Sequence, residues 1–307
     1  MHKERKFYLL KTSLKQPGKN LGHDEIAFFC PKHGARSERT IGQLSVNLVT
    51  DKFHCWSCGF SGKNLTFLLP KGSSEWKEYV ESLDILKPKE QEKVYDHPKL
   101  PEEFVTLTKQ SRSPYFSAAT GYLEKRGIGK KDIVKWKLGY CEEGDFKSRI
   151  IIPSFDEMGL LNFFTGRAFY DGMTRYKNGN FSKDIIFNDY MIDWKKPITI
   201  TEGPFDAFKI SDNVIALQGN ILTSGTKLFS RIVLSGVDVF LAMDSDAFNK
   251  QLRIIEELLS YGVGCNFVSL NDKKDVGEMT HQEFVIAKQK SVKIRNDVDI
   301  LKMRIHS

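Results

Sequence analysis

The chain has 307 residues, with 46 Lys and Arg against 39 Asp and Glu, a formal net charge of +7, and 40% hydrophobic residues. That length suggests about two domains, and a composition able to bury a core excludes wholesale disorder and fibrous structure. No run approaches the ~18 apolar residues of a membrane span. The opening MHKERKFYLLKTSLKQ lacks the apolar stretch and cleavage site of a secretory signal. Five cysteines are an odd count and too few for a disulfide scaffold, so a reducing cytoplasmic setting with cysteine used for metal is expected. The basic balance favours a polyanion partner.

Residues 1–83 hold three of the five cysteines and read as a small zinc-binding unit. Cys30-Pro-Lys-His33 is followed, after 21 residues, by Cys55-Trp-Ser-Cys58. Two ligand pairs, each split by two residues, suit a tetrahedral ion, and thiolate with imidazole is the ligand set zinc prefers. All four positions are filled, which marks a closed structural site. His23 and His54 are then surplus, and Cys141 and Cys265 are expected in packed positions. Lys52, Phe53, Trp56, Phe60 and Lys63 interleave bases with aromatics. That pattern has two readings: a surface that stacks on single-stranded nucleic acid through Lys52, Trp56 and Lys63, or the mini-core of a zinc ribbon.

The segment 84–103, DILKPKEQEKVYDHPKLPEE, is rich in Lys, Glu and Pro and reads as a linker. Within 104–196, Ser117–Ile133 predicts a helix and a shorter second one. Arg149–Phe155 and Leu160–Tyr170 predict strands of a small mixed or antiparallel sheet. From 197 to 290 strands alternate with helices. The strands are Ile198–Thr201, Val214–Leu217, Val237–Met243 and Cys265–Leu270; the helices are Pro204–Ser211, Thr223–Leu234, Phe248–Tyr261 and one running to about Lys290. Such alternation implies βα units and a mostly parallel sheet. Residues 291–307 read as a terminal helix or a frayed tail. The fold class expected is α/β, or α+β over the whole chain.

Three of those strand ends carry acid. Ile198–Thr201 runs into Glu202-Gly203-Pro204-Phe205-Asp206, and Val237–Met243 into Asp244-Ser245-Asp246. Cys265–Leu270 is followed by Asp272, Asp275 and Glu278. The carboxyl edges of parallel strands face one crevice, so Glu202, Asp206, Asp244, Asp246 and Asp275 could converge. Hard oxygen ligands suit Mg²⁺ or Mn²⁺ acting on phosphates. For each acid alone, helix N-capping is the alternative, most of all for Asp206 and Asp246.

Glu202-Gly-Pro-Phe-Asp206-Ala and Asp244-Ser-Asp246 resemble the two motifs of the TOPRIM domain. CPKH…HCWSCGFSGKN resembles the zinc module of the DnaG-type primases of bacteria and phages. GYLEKRGI…RIIIPSFDEMGLLNFFTGRAFYDGMTRYKNGN is similar to the basic subdomain that precedes TOPRIM in those enzymes. The resemblance spans roughly 25–290 in family order. It implies a zinc ribbon over 1–83, a basic subdomain of an RNA polymerase core over 104–196, and a Rossmann-like TOPRIM unit over 197–290. Glu202, Asp244 and Asp246 would be catalytic, and with Asp206 and Asp275 would hold one or two Mg²⁺ or Mn²⁺ ions. Arg149, Arg167, Arg175 and Lys177 would bind template and nucleotide. Where the family often has a second acid after Asp275 this chain has Gly277, leaving Glu278 or Asp272 to substitute.

The implied activity is synthesis of short RNA primers from ribonucleoside triphosphates on a single-stranded DNA template, with Glu202 as metal ligand or general base. A replicative helicase is the implied partner, with no membrane. A chain that stops soon after the TOPRIM unit fits a short phage-encoded member. The alternatives are a metal-dependent TOPRIM nuclease and a non-catalytic zinc and TOPRIM recombination mediator.

Overall fold

A computed structural model describes residues 1–33, 42–83, 98–210, 212–270 and 275–306. Most of the expected linker, and Asp272, lie outside these residues. Among the described residues the strands form three five-stranded sheets, and no helix is long and apolar enough to cross a membrane.

The first sheet is an antiparallel meander of β1 (Lys19–Gly22), β2 (Glu25–Phe28), β3 (Leu44–Asn47), β4 (Phe53–Cys55) and β5 (Ser61–Gly62). Two helices flank it, α1 (Lys3–Leu14) and α2 (Ser74–Glu81). The sequence reading placed no element over α1, yet it buries Lys6, Leu9 and Leu10. It packs on α2, and Arg5 grips Glu78 in a fork of 2.5 and 2.6 Å. Asp51 links both helices to the sheet. It accepts from Lys6 Nζ at 2.5 Å and from the Tyr79 hydroxyl at 2.9 Å, and the Tyr79 oxygen accepts from the Leu65 amide at 3.1 Å.

The second sheet is purely antiparallel, in the order β10-β9-β8-β7-β6. Its strands are β6 (Phe104–Thr106), β7 (Gly139–Cys141), β8 (Arg149–Phe155), β9 (Leu161–Ala168) and β10 (Tyr176–Asn178). Between β6 and β7 run α3 (Pro114–Lys125) and α4 (Lys130–Lys135). Ser113 caps α3 through its side chain, and Pro114 occupies the first turn, where a missing N–H costs nothing.

The third sheet has the order β12-β11-β13-β14-β15. Here β11 (Ile198–Thr201), β12 (Val214–Ala216), β13 (Val239–Leu241) and β14 (Cys265–Phe267) are parallel, and β15 (Val292–Ile294) is antiparallel to β14. The intervening helices are α5 (Pro204–Ile210), α6 (Lys227–Ser235), α7 (Phe248–Ser260) and α8 (His281–Gln289), and α9 (Asp297–His306) follows β15. Every residue of β11 is buried, as expected of a strand covered on both faces. The tail is thus a strand and then a helix. The strand escaped sequence reading because Val-Lys-Ile is too short and mixed to signal itself; pairing of Ile294 with Cys265 makes it one.

The first and third sheets share one continuous apolar core. Helix α2 packs on α6, the Asn64 amide donates to the Ser260 carbonyl, and Lys71 pairs with Asp238 at 3.2 Å. The zinc-site unit is therefore seated against the parallel sheet's helices. Asp51→Ala is expected to strand the buried Lys6 ammonium and the Tyr79 hydroxyl, at a cost of about 2–4 kcal/mol. A urea midpoint within error of wild type would contradict the linking role of Asp51.

Candidate metal centres and the acidic cleft

Cys30, His33, Cys55 and Cys58 present ligand atoms that all lie within 4.8 Å of one another. Strand β4 ends at Cys55, and the turn beyond it is closed by the Gly59 amide on the Cys55 carbonyl, with Gly59 at φ +72°. That turn brings Cys58 back to 3.7 Å from Cys30, sulfur to sulfur. Tetrahedral arms of about 2.3 Å give an S···S edge of about 3.8 Å, so the pair already has the spacing of zinc ligands. His33 directs Nε2 at Cys55 Sγ, 3.1 Å away. The Cys55 thiol is brought down to about 6: burial pushes it up, but hydrogen bonds from His33 and from the Cys58 and Ser57 backbone outweigh that. Burial pushes Cys30 up to about 11. A cation is what lets both thiols ionise together.

Beside this centre the two readings of the aromatic cluster divide. Phe53 is core, edge-on to Phe60 at 5.0 Å. Trp56 is 78% exposed and stands against His54, with Lys52 and Lys63 also exposed. Metal analysis is expected to find one zinc per chain. Cys55→Ser with Cys58→Ser should abolish it and lower the thermal midpoint, since zinc contributes on the order of 10 kcal/mol in small modules. A variant that melts like wild type would contradict a structural metal.

The second centre arises from parallel register. Thr201 lies level with Ala216, and Ile200 with Leu241. Glu202 and Asp244, just past β11 and β13, therefore leave the sheet at the same edge. Glu202, Asp244 and Asp246 bring carboxylate oxygens within 4.8 Å of one another. Asp244 Oδ1 is buried and has no hydrogen-bond partner among the described residues, which suits an oxygen that ligates a divalent ion. Asp206 and Asp275 line the same cleft, of about 370 Å³. Asp206 Oδ2 accepts from the Gly203 amide at 2.9 Å, and Asp275 Oδ1 from the Glu278 amide at 2.9 Å. Their capping roles and their place in the cleft are thus compatible. At Gly277 a Cβ would stand 3.0 Å from Asp206 Oδ1 and 3.2 Å from Asp275 Oδ1, so the backbone itself fills that position. The Glu278 side chain is exposed and does not line the cleft.

The basic residues separate by strand parity. In the β9–β10 ladder Arg167 pairs with Tyr176 and Thr165 with Asn178, while Lys177 pairs with Gly166. Side chains alternate across a strand, so Arg167, Tyr176, Thr165 and Asn178 face the cleft and line it. Lys177 faces the other way, with Nζ donating to the Asp145 carbonyl at 2.8 Å. Arg149 sits level with Ala168 on that opposite face. Only 5% exposed, it donates through Nη1 to the carbonyls of Gly166 at 3.3 Å and Thr174 at 2.8 Å. Neither Arg149 nor Lys177, expected from the sequence to bind template and nucleotide, is among the residues that line the cleft. Arg175 is, and its charge opposes the upward shift of Asp244. Arg167 is held by the Tyr122 hydroxyl at 2.7 Å and lies over the Tyr176 ring at 4.8 Å.

Sequence reading missed Arg126, which lines the cleft over Phe205 at 5.3 Å. It also missed Lys250, whose Nζ lies 2.9 Å from Glu202 Oε1. Arg126 lies four residues after Tyr122 at the end of α3, a spacing that puts both on one helix face.

Burial, and then the crowding of acids, shifts two of them. Burial first, then the charges of Asp244, Asp275 and Glu202, push Asp206 up to about 7 against the Gly203 amide. Burial, then Glu202, Asp275 and Asp246, push Asp244 up to about 6. A carboxyl raised on folding contributes stability that is full below about pH 4 and is lost as pH climbs through its folded value. Without divalent ions, Asp206→Asn should therefore flatten the decline in thermal midpoint between pH 4 and 8 and raise the midpoint at pH 8. Unchanged calorimetric profiles would contradict the crowding.

No family model matches the sequence. The chain is similar to the DNA primase of Helicobacter pylori, 25% identical over 248 residues covering 63% of this chain and 43% of that protein. It is similar to the DNA primase of Clostridium acetobutylicum, 23% identical over 354 residues covering 96% of this chain and 57% of that protein. The chain spans about half the length of these curated relatives. In fold it is similar to the Aquifex aeolicus primase comprising zinc-binding and RNA polymerase domains. That likeness has a TM-score of 0.50 and 19% identity, over 94% of this chain and 86% of that one. A DnaG primase catalytic domain bound to single-stranded DNA gives a TM-score of 0.51 and 18% identity, over 59% of this chain and 74% of that one.

Proposed function

The chain is a relative of the bacterial DnaG-type DNA primases in sequence and in fold, and we propose that it joins ribonucleotides into short primers on single-stranded DNA. The observation that carries this reading is the gathering of Glu202, Asp244 and Asp246 within 4.8 Å, with Glu202 and Asp244 lining a cleft that Arg126, Arg167 and Arg175 also line. Acids alone would repel a triphosphate and arginines alone would bind it without acting on it; the two together suit phosphoryl chemistry. We assign 1–83 to the zinc module, 104–196 to the basic subdomain and 197–290 to the metal-binding unit.

Glu202, Asp244 and Asp246 would hold Mg²⁺ or Mn²⁺, which when bound neutralises charge on the triphosphate and on the departing pyrophosphate. Arg167 and Arg175 bind phosphate oxygens of nucleotide or template, each through a planar fork. Tyr122 fixes the Arg167 guanidinium, so its orientation is set before the ligand arrives. The primer 3′-hydroxyl oxygen attacks the α-phosphorus; the bond to the β-phosphate oxygen breaks, and pyrophosphate leaves. The hydroxyl proton passes to a carboxylate that lines the cleft, Glu202 or Asp206. Arg149 acts through the scaffold, tying Gly166 of β9 to the β9–β10 loop. Exposed Trp56, Lys52 and Lys63 offer the zinc module a stacking surface for template bases.

The test is incubation with single-stranded DNA, ribonucleoside triphosphates and Mg²⁺, sizing the labelled RNA. Asp244→Asn is expected to cut primer yield by about 10²–10³-fold, the scale on which loss of one charge-stabilising group acts. Arg175→Ala should raise the nucleotide KM by about 10-fold, whereas Arg149→Ala should chiefly lower thermal stability. DNA cleavage that needs no nucleotides, with no RNA made, would replace this reading with a nuclease.

A further inference from the structure

Lys250 lies outside every motif that identifies the acidic cleft, and its position has a cost. It occupies the third residue of α7, where the positive end of the helix disfavours a cation. Among the described residues no side chain caps that helix end. Yet the ammonium reaches across to β11's end and pairs with Glu202 Oε1 at 2.9 Å, the side chains being 37% and 29% exposed. Glu202 is one of the three acids that converge. A cation disfavoured by its own helix is thus held by the very carboxylate on which a divalent ion would depend.

We propose that Lys250 is a tethered counter-cation that competes with free divalent metal for Glu202 and is released when metal arrives together with a triphosphate. The inference rests on the metal-binding reading of the cleft. A divalent ion on either Glu202 oxygen would stand close to the ammonium held at Oε1, so the two cations repel and binding of free metal favours release of the ammonium into water. A triphosphate changes that balance, because its oxygens give the displaced ammonium a new partner. Metal affinity is then coupled to triphosphate binding, and by linkage triphosphate affinity is coupled equally to metal. Before metal arrives the cleft is neutralised in part by its own chain, and metal enters preferentially with the substrate that needs it.

The experiment measures Mn²⁺ binding to the zinc-loaded full chain by electron paramagnetic resonance, alone and with ATP, for wild type, Lys250→Met and Lys250→Arg. Thermal midpoints are recorded with and without saturating Mn²⁺. In Lys250→Met, Mn²⁺ alone is expected to bind about 3–10-fold tighter, the scale of a partly screened ion pair. The enhancement by ATP should shrink, and the midpoint should fall without Mn²⁺ and return to wild type with it. Lys250→Arg should behave as wild type. Mn²⁺ binding that is unchanged or weaker in Lys250→Met overturns the proposal, as does a midpoint deficit that Mn²⁺ leaves intact, which marks a merely structural pair. Wild type that binds no Mn²⁺ overturns the metal reading itself, and the Lys250 inference with it.

Discussion

Mutual repulsion among acids in one cleft is the constraint around which this molecule is arranged. Glu202, Asp244 and Asp246 are close enough to share an ion, and Asp206 and Asp275 line the same space. A folded chain tolerates such a cluster only with compensation. Here it comes from Lys250 on Glu202, the Gly203 amide on Asp206, the Glu278 amide on Asp275, and the field of Arg175 on Asp244. Burial together with the residual imbalance raises the Asp206 and Asp244 carboxyls. A divalent cation would relieve it, so the unfavourable energy of the crowded cleft would become affinity for metal.

The antiparallel sheet beside the cleft supplies the opposite charge, and strand alternation sorts which charges arrive. Arg167 and Lys177 belong to neighbouring strands a single register step apart. That step sends Arg167 to the cleft and Lys177 to the Asp145 loop. Arg149 falls on the same side as Lys177 and ties backbone carbonyls together. One face of the sheet carries Arg167, Tyr176 and Asn178 into the cleft, and the other carries a small core of Cys141, Phe146, Ile151 and Phe164.

The zinc-site unit contributes through packing as well as through its metal ligands. Its core is continuous with that beneath the parallel sheet, and Asn64, Lys71 and α2 all contact the α6–α7 side of that sheet. Zinc would fasten β4 and the turn after it to the end of β2; the Lys6–Asp51–Tyr79 network fastens both helices to the same unit. Loss of either fastening would therefore be felt at the interface between the two units.

Much of this was legible in the residues themselves. Ligand spacing announced the Cys-His centre because loop length alone decides whether two ligands can meet one ion. Alternating βα rhythm announced a parallel sheet, and such a sheet necessarily sends its carboxyl ends to one edge; that is why Glu202 and Asp244 could be paired across 41 intervening residues. The Arg149–Phe155 strand was legible to the residue, being β-branched and bounded by breaks. What composition and spacing could not decide was orientation. Whether Arg149 or Arg167 faces the cleft depends on register between strands, which is a relation among segments and belongs to none of them alone. Helix α1 was hidden because its buried face exists only once α2 and the first sheet are beside it. Lys250 was hidden for the same reason: its partner lies 48 residues away, and only the closed sheet brings ammonium and carboxylate to contact.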